Sequence, residues 1–235
     1  MDLPVVEIVE ETPTTKTLVF DLEGRPFRFY PGQFVVLEVP HPETGEKLRR
    51  AYSIASPPTR RDRIELTVKR VENGRASVYL TTRVRIGERF RMKGPYGRFY
   101  WTEKLHSRIA LLGAGSGVVP LVSILRYIRD RDLGNVDAVF LGSFTSYEEV
   151  IYREELLELG KLKNVRIALT LTREFPDSWQ GYRGRINREI LSREIPDAVE
   201  RLHYLCGPPG FVESVRGTLL DLGVDRRNLK TERYR

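Results

Sequence analysis

The sequence predicts two domains of different class: a six-stranded antiparallel β-barrel over residues 1–104, and an α/β unit with a five-stranded parallel sheet over residues 105–235. Three observations carry this reading. At 235 residues the chain is long enough for two cores of ordinary size. Before residue 100, short β-rich runs are broken by Gly, Pro and Asn turn signals. After Arg108 the period changes, and apolar strands alternate with helical runs.

In the first part the expected strands are 5–9, 17–22, 34–39, 51–55, 64–71 and 88–92. Gly24, Pro31-Gly32, Pro57-Pro58, Asn73-Gly74 and Gly87 punctuate them. Short strands at this spacing suit an antiparallel barrel. One short helix is expected at 76–82, just after Gly74. In the second part the expected strands are 109–112, 136–141, 165–171, 202–205 and 228–232, with helices at 118–129, 148–159, 187–193 and 210–222 between them. Strand alternating with helix means a parallel sheet covered on both faces. The boundary falls within 102–107.

Composition narrows the function classes. The single cysteine, Cys206, excludes an internal disulfide, fits a reducing compartment, and rules out a cysteine-ligated iron-sulfur cluster built by these residues alone. No metal site is expected. Residues 1–11 carry acids and no apolar region ahead of a cleavage site, so a signal peptide is not expected and a cytoplasmic location is. The uncharged run 109–125 approaches the length of a membrane span, but three glycines and Pro120 interrupt it and arginines close it on both sides. A buried strand running into a buried helix explains it better, and no membrane span is expected.

The net charge of +7 and pI near 9.6 raise nucleic-acid binding as a possibility. The basic residues are interspersed with acids and no nucleic-acid motif is present, so none is expected. A basic surface equally suits docking of an acidic protein. Arginine makes up most of the 39 basic residues, a bias that fits either a hot habitat or genome composition.

The residues that could carry chemistry begin at Arg49-Arg50-Ala51-Tyr52-Ser53-Ile54-Ala55-Ser56, which joins a cation, an aromatic ring and a hydroxyl within four residues. In an extended segment Arg50 and Tyr52 share a side while Ser53 presents its hydroxyl and N–H to something lying across the strand. That set suits a flat, anionic cofactor such as a flavin nucleotide. It also suits a plain buried strand with its tyrosine in the core and its arginine on the rim.

Gly113-Ala114-Gly115-Ser116-Gly117-Val118-Val119-Pro120 follows a strand and opens a helix, so its amides point at whatever binds beyond the strand end, and phosphate is the natural guest. It departs from the dinucleotide fingerprint at Val118, where a glycine is required, and the next strand ends at Gly142-Ser143 without an acid for a ribose. It is not a nucleophile elbow either, because Ser116 is flanked by Ala114 and Val118. A glycine-rich turn for close packing is the competing reading. Gly74-Arg75-Ala76-Ser77 is a second, weaker phosphate cradle at a helix start, and Gly94-Pro95-Tyr96-Gly97 is a tight turn placed to wall a cleft. Cys206-Gly207-Pro208-Pro209-Gly210 ends the fourth parallel strand, and the residues after Cys206 are expected to stop the strand and open its thiol to the crevice. Thr231-Glu232-Arg233-Tyr234-Arg235 adds an acid and a ring at the chain end, where fraying is the usual outcome.

Taken in order, Arg50-x-Tyr52-Ser53, Gly74-x-x-Ser77, Gly94-Pro95-Tyr96-Gly97, Gly113-x-Gly115-x-Gly117-x-x-Pro120, Cys206-Gly207-Pro208 and Glu232-x-Tyr234 resemble the ferredoxin-NADP reductase superfamily over nearly the whole chain. The resemblance implies FAD in the barrel domain and NADP or NAD in the α/β domain. It implies that Arg50 neutralises the FAD diphosphate, Tyr52 packs on the isoalloxazine and Ser53 hydrogen-bonds N5. Val68 and Lys69 would lie along the flavin tail, with Gly74, Ala76 and Ser77 at its diphosphate. Gly113, Gly115, Ser116 and Gly117, ahead of Pro120, would hold the nicotinamide nucleotide, with Cys206, Gly207 and Pro208 by its ring. Glu232 and Tyr234 would close the flavin's other face, and Ser53, Cys206 and Glu232 are the candidate catalytic groups.

In such proteins a hydride passes between the nicotinamide and the flavin, and electrons are traded singly with a ferredoxin or flavodoxin, an acidic carrier that the basic surface suits. Phe144 and Phe211 depart from the family's frequent arginine and methionine and blur the choice of nucleotide. Thr172-Arg173 resembles a pair that holds a 2′-phosphate in some relatives, with Arg183 and Arg185 as further candidates, which favours NADPH. Rival readings are an NADH-dependent reductase component of an oxygenase or a multi-subunit redox complex, a free flavin or ferric reductase, and a non-enzymatic basic binding module.

Overall fold

The computed structural model describes residues 1–41 and 43–234. The first unit holds β1 (Asp2–Thr12), β2 (Thr15–Asp21), β3 (Phe34–Pro40), β4 (Lys47–Ser53), β5 (Arg63–Lys69) and β6 (Arg89–Tyr96), with α1 (Arg75–Thr82) after β5. They pair antiparallel in the order β4-β3-β6-β1-β2-β5. The ends of that order meet where Ile54 bridges Leu66 and the Ala55 N–H donates to the Glu65 carbonyl at 2.8 Å, so the sheet closes into the expected barrel. Alternation decides which side chains fill it: Val35, Leu37 and Val39 of β3 point inward onto Leu18, Phe20 and Leu66. The short helix α1 packs on β3 and β5 through Ala76 and Leu80.

The second unit alternates β7 (Arg108–Ala114), α2 (Val118–Asp130), β8 (Asp137–Phe144), α3 (Arg153–Leu159), β9 (Val165–Leu171), β10 (Tyr182–Arg183), α4 (Arg188–Glu194), β11 (Leu202–Gly207), α5 (Pro209–Asp221) and β12 (Leu229–Arg233). All strands are parallel, in the order β10-β9-β8-β7-β11-β12. Successive β7 residues bury on opposite faces, Ile109 and Leu111 with α2 and α3, Ala110 and Leu112 with α4 and α5. Strand order reverses about β7, because β8 lies on one side and β11 on the other. Such a switch point opens a crevice at the carboxyl strand ends.

Two details differ from expectation. A sixth, two-residue strand, β10, extends the five expected ones at the β9 edge, too short to leave a periodic signal. The helix expected at 148–159 forms only from Arg153, because Tyr152 sits in the left-handed region at φ 58°, where a helix cannot run through it. Between the units, Trp101 is fully buried on the second core and its indole N–H donates to the His106 carbonyl at 3.0 Å.

Candidate functional site

Two clefts meet where the units join. The first, about 450 Å³, lies between β4, β5 and α1 of the barrel and the turn after β7, the end of β11 and the chain end. The second, about 720 Å³, runs along the carboxyl ends of β7, β8 and β9 and the start of α5. Lys69, Val71, Ser116 and Tyr234 line both and form the shared wall.

Arg50, Tyr52 and Ser53 of β4 line the first cleft, as do Gly74, Ala76 and Ser77 at the start of α1. The Ser53 hydroxyl has no hydrogen-bond partner among the described residues, while the Arg50 guanidinium reaches only the Arg49 carbonyl, at 2.8 Å. Arg75 beside it makes no hydrogen bond or ion pair among the described residues. Gly74 allows the loop to fold tightly, since a Cβ there would meet Ser77 Oγ at 2.4 Å and the Val71 carbonyl at 3.0 Å. The Ser77 hydroxyl accepts the Val71 N–H at 3.1 Å, which ties that loop to α1.

Val68 corrects an expectation. Its side chain is 1% exposed inside the barrel, and alternation along β5 turns Thr67 and Lys69 to the cleft in its place. Lys69 pairs with Glu149 at 2.6 Å across the domain junction.

The glycine-rich turn divides its labour. Ala114, Gly115 and Ser116 line the second cleft, Gly115 with φ +53°. Gly113, Gly117 and Pro120 do not line either cleft. A Cβ on Gly113 would meet Val118 and Leu121 side chains at 2.9 Å, and one on Gly117 would meet the Cys206 carbonyl at 2.2 Å, so both serve the close approach of turn, helix and strand. Pro120 is buried in the first turn of α2. Gly207 likewise packs on Phe211, and Pro208 is the member of that pair that reaches the cleft.

Tyr234 is anchored rather than frayed. The Tyr234 hydroxyl donates to the Ala114 carbonyl at 2.5 Å and accepts the Gly117 N–H at 3.0 Å. Glu232 lies in β12 in register with Cys206 of β11. Its Oε2 is buried without a hydrogen-bond partner among the described residues, and burial lifts the carboxyl to about 7. The Cys206 thiol is at the floor of the first cleft but only 2% exposed, so the strand end does not open it as expected. β11 runs on through Gly207, and burial, with Glu232 nearby, pushes the thiol well up. Burial also raises Tyr52 to about 12 and Tyr234 to about 12. Near neutral pH the thiol and both rings are therefore uncharged, a setting in which flat rings can stack without water.

Thr172 and Arg173 line the second cleft, joined there by Arg70 and Arg185. The Thr172 hydroxyl already donates to the Phe144 carbonyl at 3.1 Å. Arg183 turns away, its guanidinium 4.5 Å from the Phe175 ring centroid. Among the described residues, the Arg70, Arg173 and Arg185 side chains make no hydrogen bond or ion pair, and no carboxylate lines either cleft. Exposed cations without an ion-pair partner, facing clefts with no acid in their described lining, create a positive potential that favours phosphate-bearing ligands such as nucleotides. Sequence reasoning passed over Arg70, for which the only signal was its position just beyond β5, and gave no role of their own to Arg75 and Val119, which it named only as members of the 74–77 and 113–120 motifs.

Comparison with known proteins agrees with this geometry. Residues 2–101 match the oxidoreductase FAD-binding domain and residues 111–217 the oxidoreductase NAD-binding domain. The chain is 36% identical over 232 residues to ferredoxin–NADP reductase B of Sorangium cellulosum, covering 95% of this chain and 93% of that one. It is 31% identical over 233 residues to the glycine betaine monooxygenase reductase subunit of Pseudomonas aeruginosa, where it covers 97% of this chain but spans only 63% of the relative's length. The fold matches the FAD/NAD-binding domain of a nitric oxide dioxygenase from Vibrio cholerae with a TM-score of 0.90 at 24% identity, covering 99% of this chain and 98% of that one. Two clefts, the ordered motifs and these matches lead to one conclusion: the chain belongs to the ferredoxin-NADP reductase family of FAD- and NAD(P)-binding oxidoreductases.

Proposed function

We propose that this chain is a reductase that accepts two electrons from NADPH and passes them one at a time to an acidic electron-carrier protein such as a ferredoxin or flavodoxin. When bound, the two nucleotides supply the chemistry, hydride transfer between nicotinamide and isoalloxazine and single-electron exchange from the latter. The protein's part is alignment, charge and exclusion of water. In this reading Arg50 and Arg75 hold the FAD diphosphate, Tyr52 backs its ring, and the free Ser53 hydroxyl donates at the ring's reacting edge. Gly115 and Ser116 present the turn to the second nucleotide, and the uncharged Cys206 thiol floors the place where the rings meet. Glu232, protonated over part of the neutral range, keeps a buried O–H beside that thiol.

The observation that carries the choice of NADPH is the second cleft's lining, which among the described residues includes Lys69, Arg70, Arg173 and Arg185 and no acid. A ribose 2′-hydroxyl is ordinarily held by a carboxylate, a 2′-phosphate by arginine. A cytoplasmic setting agrees with the lone buried thiol. The division of the units at 104/105 lies between the stretches matched by the FAD- and NAD-binding domains.

A second reading has its own support: the Pseudomonas relative is named as the reductase subunit of a monooxygenase, and the chain spans 63% of it. That reading makes this chain the flavin-and-nucleotide part of an oxygenase system. The deciding experiment is anaerobic oxidation of NADPH and of NADH by the FAD-loaded protein, with a ferredoxin, a flavodoxin and free flavin as acceptors. NADPH-driven reduction of a carrier protein, faster than with NADH, supports the first reading. Turnover with free flavin alone overturns it.

A further inference from the structure

The two units are held in register by helix α2. Val119, Ser123 and Arg126 fall at i, i+4 and i+7 and so lie on one stripe of it. Val119 lines the flavin cleft. Ser123, fully buried, donates to the Ser56 carbonyl at 2.9 Å, and Arg126 Nη1 donates to the Ala55 carbonyl at 2.9 Å. Ala55 and Ser56 directly follow the β4 segment that carries Arg50, Tyr52 and Ser53, and Ala55 packs in the core of the second unit although its chain belongs to the first.

Arg126 is 5% exposed and sits at the centre of a buried polar node. It pairs with Glu65 of β5 at 2.9 Å and with Glu155 of α3 at 2.5 Å, and its guanidinium lies 4.8 Å from the Tyr152 ring centroid. Glu65 in turn returns to the same short segment, its N–H donating to Ser56 Oγ at 3.1 Å and its carbonyl accepting from Ala55 at 2.8 Å. The node therefore fixes α2 against the backbone just beyond Ser53, while the other end of α2 carries the glycine-rich turn. Hydrophobic contact alone could let the helix slide, whereas directed bonds to two successive carbonyls set one register.

We propose that Arg126 is a positioning residue for hydride transfer: from outside both clefts it sets the spacing between the flavin shelf at 50–53 and the nicotinamide turn at 113–117. This rests on the reading that the two nucleotides react across the shared wall. A displacement of about 1 Å of reacting atoms can cost on the order of 100-fold in rate.

The test compares wild type with Arg126→Lys, Arg126→Gln and Ser123→Ala in the FAD-loaded protein. Three quantities are read: the rate of flavin reduction by NADPH with its deuterium isotope effect, the long-wavelength charge-transfer absorbance formed on mixing with nucleotide, and amide hydrogen exchange at 54–56 and 116–119. The expected result for Arg126→Gln is reduction slowed ~10-fold or more and a weakened charge-transfer band, with FAD and nucleotide affinity within ~3-fold. Arg126→Lys recovers part of this loss, Ser123→Ala slows reduction by ~2–5-fold, and both amide stretches exchange faster together. Ser123→Ala leaves the buried charges paired, so it carries the test if the arginine variants misfold. Wild-type reduction rates and band in Ser123→Ala and Arg126→Lys, with wild type itself reduced, overturn the inference and leave the reading of function intact. No reduction of wild type by either nucleotide overturns that reading, and unchanged exchange at 54–56 in the variants then overturns the register set by Arg126 as well.

Discussion

The Tyr234 hydroxyl accepts the Gly117 amide at 3.0 Å, so this side chain sits on the glycine-rich turn proposed for the nicotinamide nucleotide. It lines both clefts and borders the buried thiol of Cys206. Under the proposed function, nucleotide entry competes with an internal hydrogen bond. Tyr234→Ala is expected to tighten NADP⁺ binding by about 3- to 10-fold, the worth of one such bond. Calorimetric titration checks this, and weaker binding would show the ring to be part of the nucleotide site rather than its competitor.

Among the described residues the Ser53 hydroxyl has no partner, at the β4 end of the first cleft. Ser53→Ala should slow flavin reduction by ~10- to 100-fold, as for loss of one oriented donor, and change FAD affinity by less than ~3-fold. Stopped-flow reduction and fluorescence titration of FAD measure the two quantities separately. Equal reduction rates in variant and wild type would remove Ser53 from the chemistry.

Among the described residues, Arg173 and Arg185 have no ion-pair partner and no acid lines their cleft. Arg173→Ala and Arg185→Ala should each raise KM for NADPH by about 10-fold and leave KM for NADH unchanged, because only the first carries the additional phosphate. Equal losses for both nucleotides would assign these side chains to the shared diphosphate.

Glu232 gives a pH signature. Its carboxyl sits at about 7 against an ordinary 4.5, raised by burial. Between those values the unfolded chain ionises while the folded one keeps its proton, so stability falls as pH rises through the window and is level beyond it. Glu232→Gln should abolish that fall and be more stable than wild type at pH 8 by on the order of 1–3 kcal/mol. Denaturant unfolding at pH 4.5 and pH 8 reads it, and parallel pH profiles for variant and wild type would exclude a buried proton at Glu232.

Much of this architecture is legible in the residues because it follows from periodicity. The barrel strands, the change of period after Arg108 and the glycine-rich turn each rest on local patterns that the fold preserves. What depends on pairing across the fold was not legible. Val68 reads as one more residue along a strand, and only the closed barrel decides that it points inward while Lys69 points out. Cys206 precedes a glycine and a proline, yet β11 extends past it and its thiol stays buried. Arg126 looks like the polar end of an apolar helix, and its carboxylate partners at 65 and 155 are far away in sequence. Two-residue β10 and the left-handed Tyr152 carry no repeating signal at all.

The most direct measurement is an anaerobic titration of the FAD-loaded protein with NADPH, followed by the flavin's visible absorbance. Stoichiometric bleaching, one NADPH per flavin, followed by recovery of the absorbance when an oxidised ferredoxin or flavodoxin is added, is the predicted result. A flavin that stays fully oxidised with both NADPH and NADH would contradict the account.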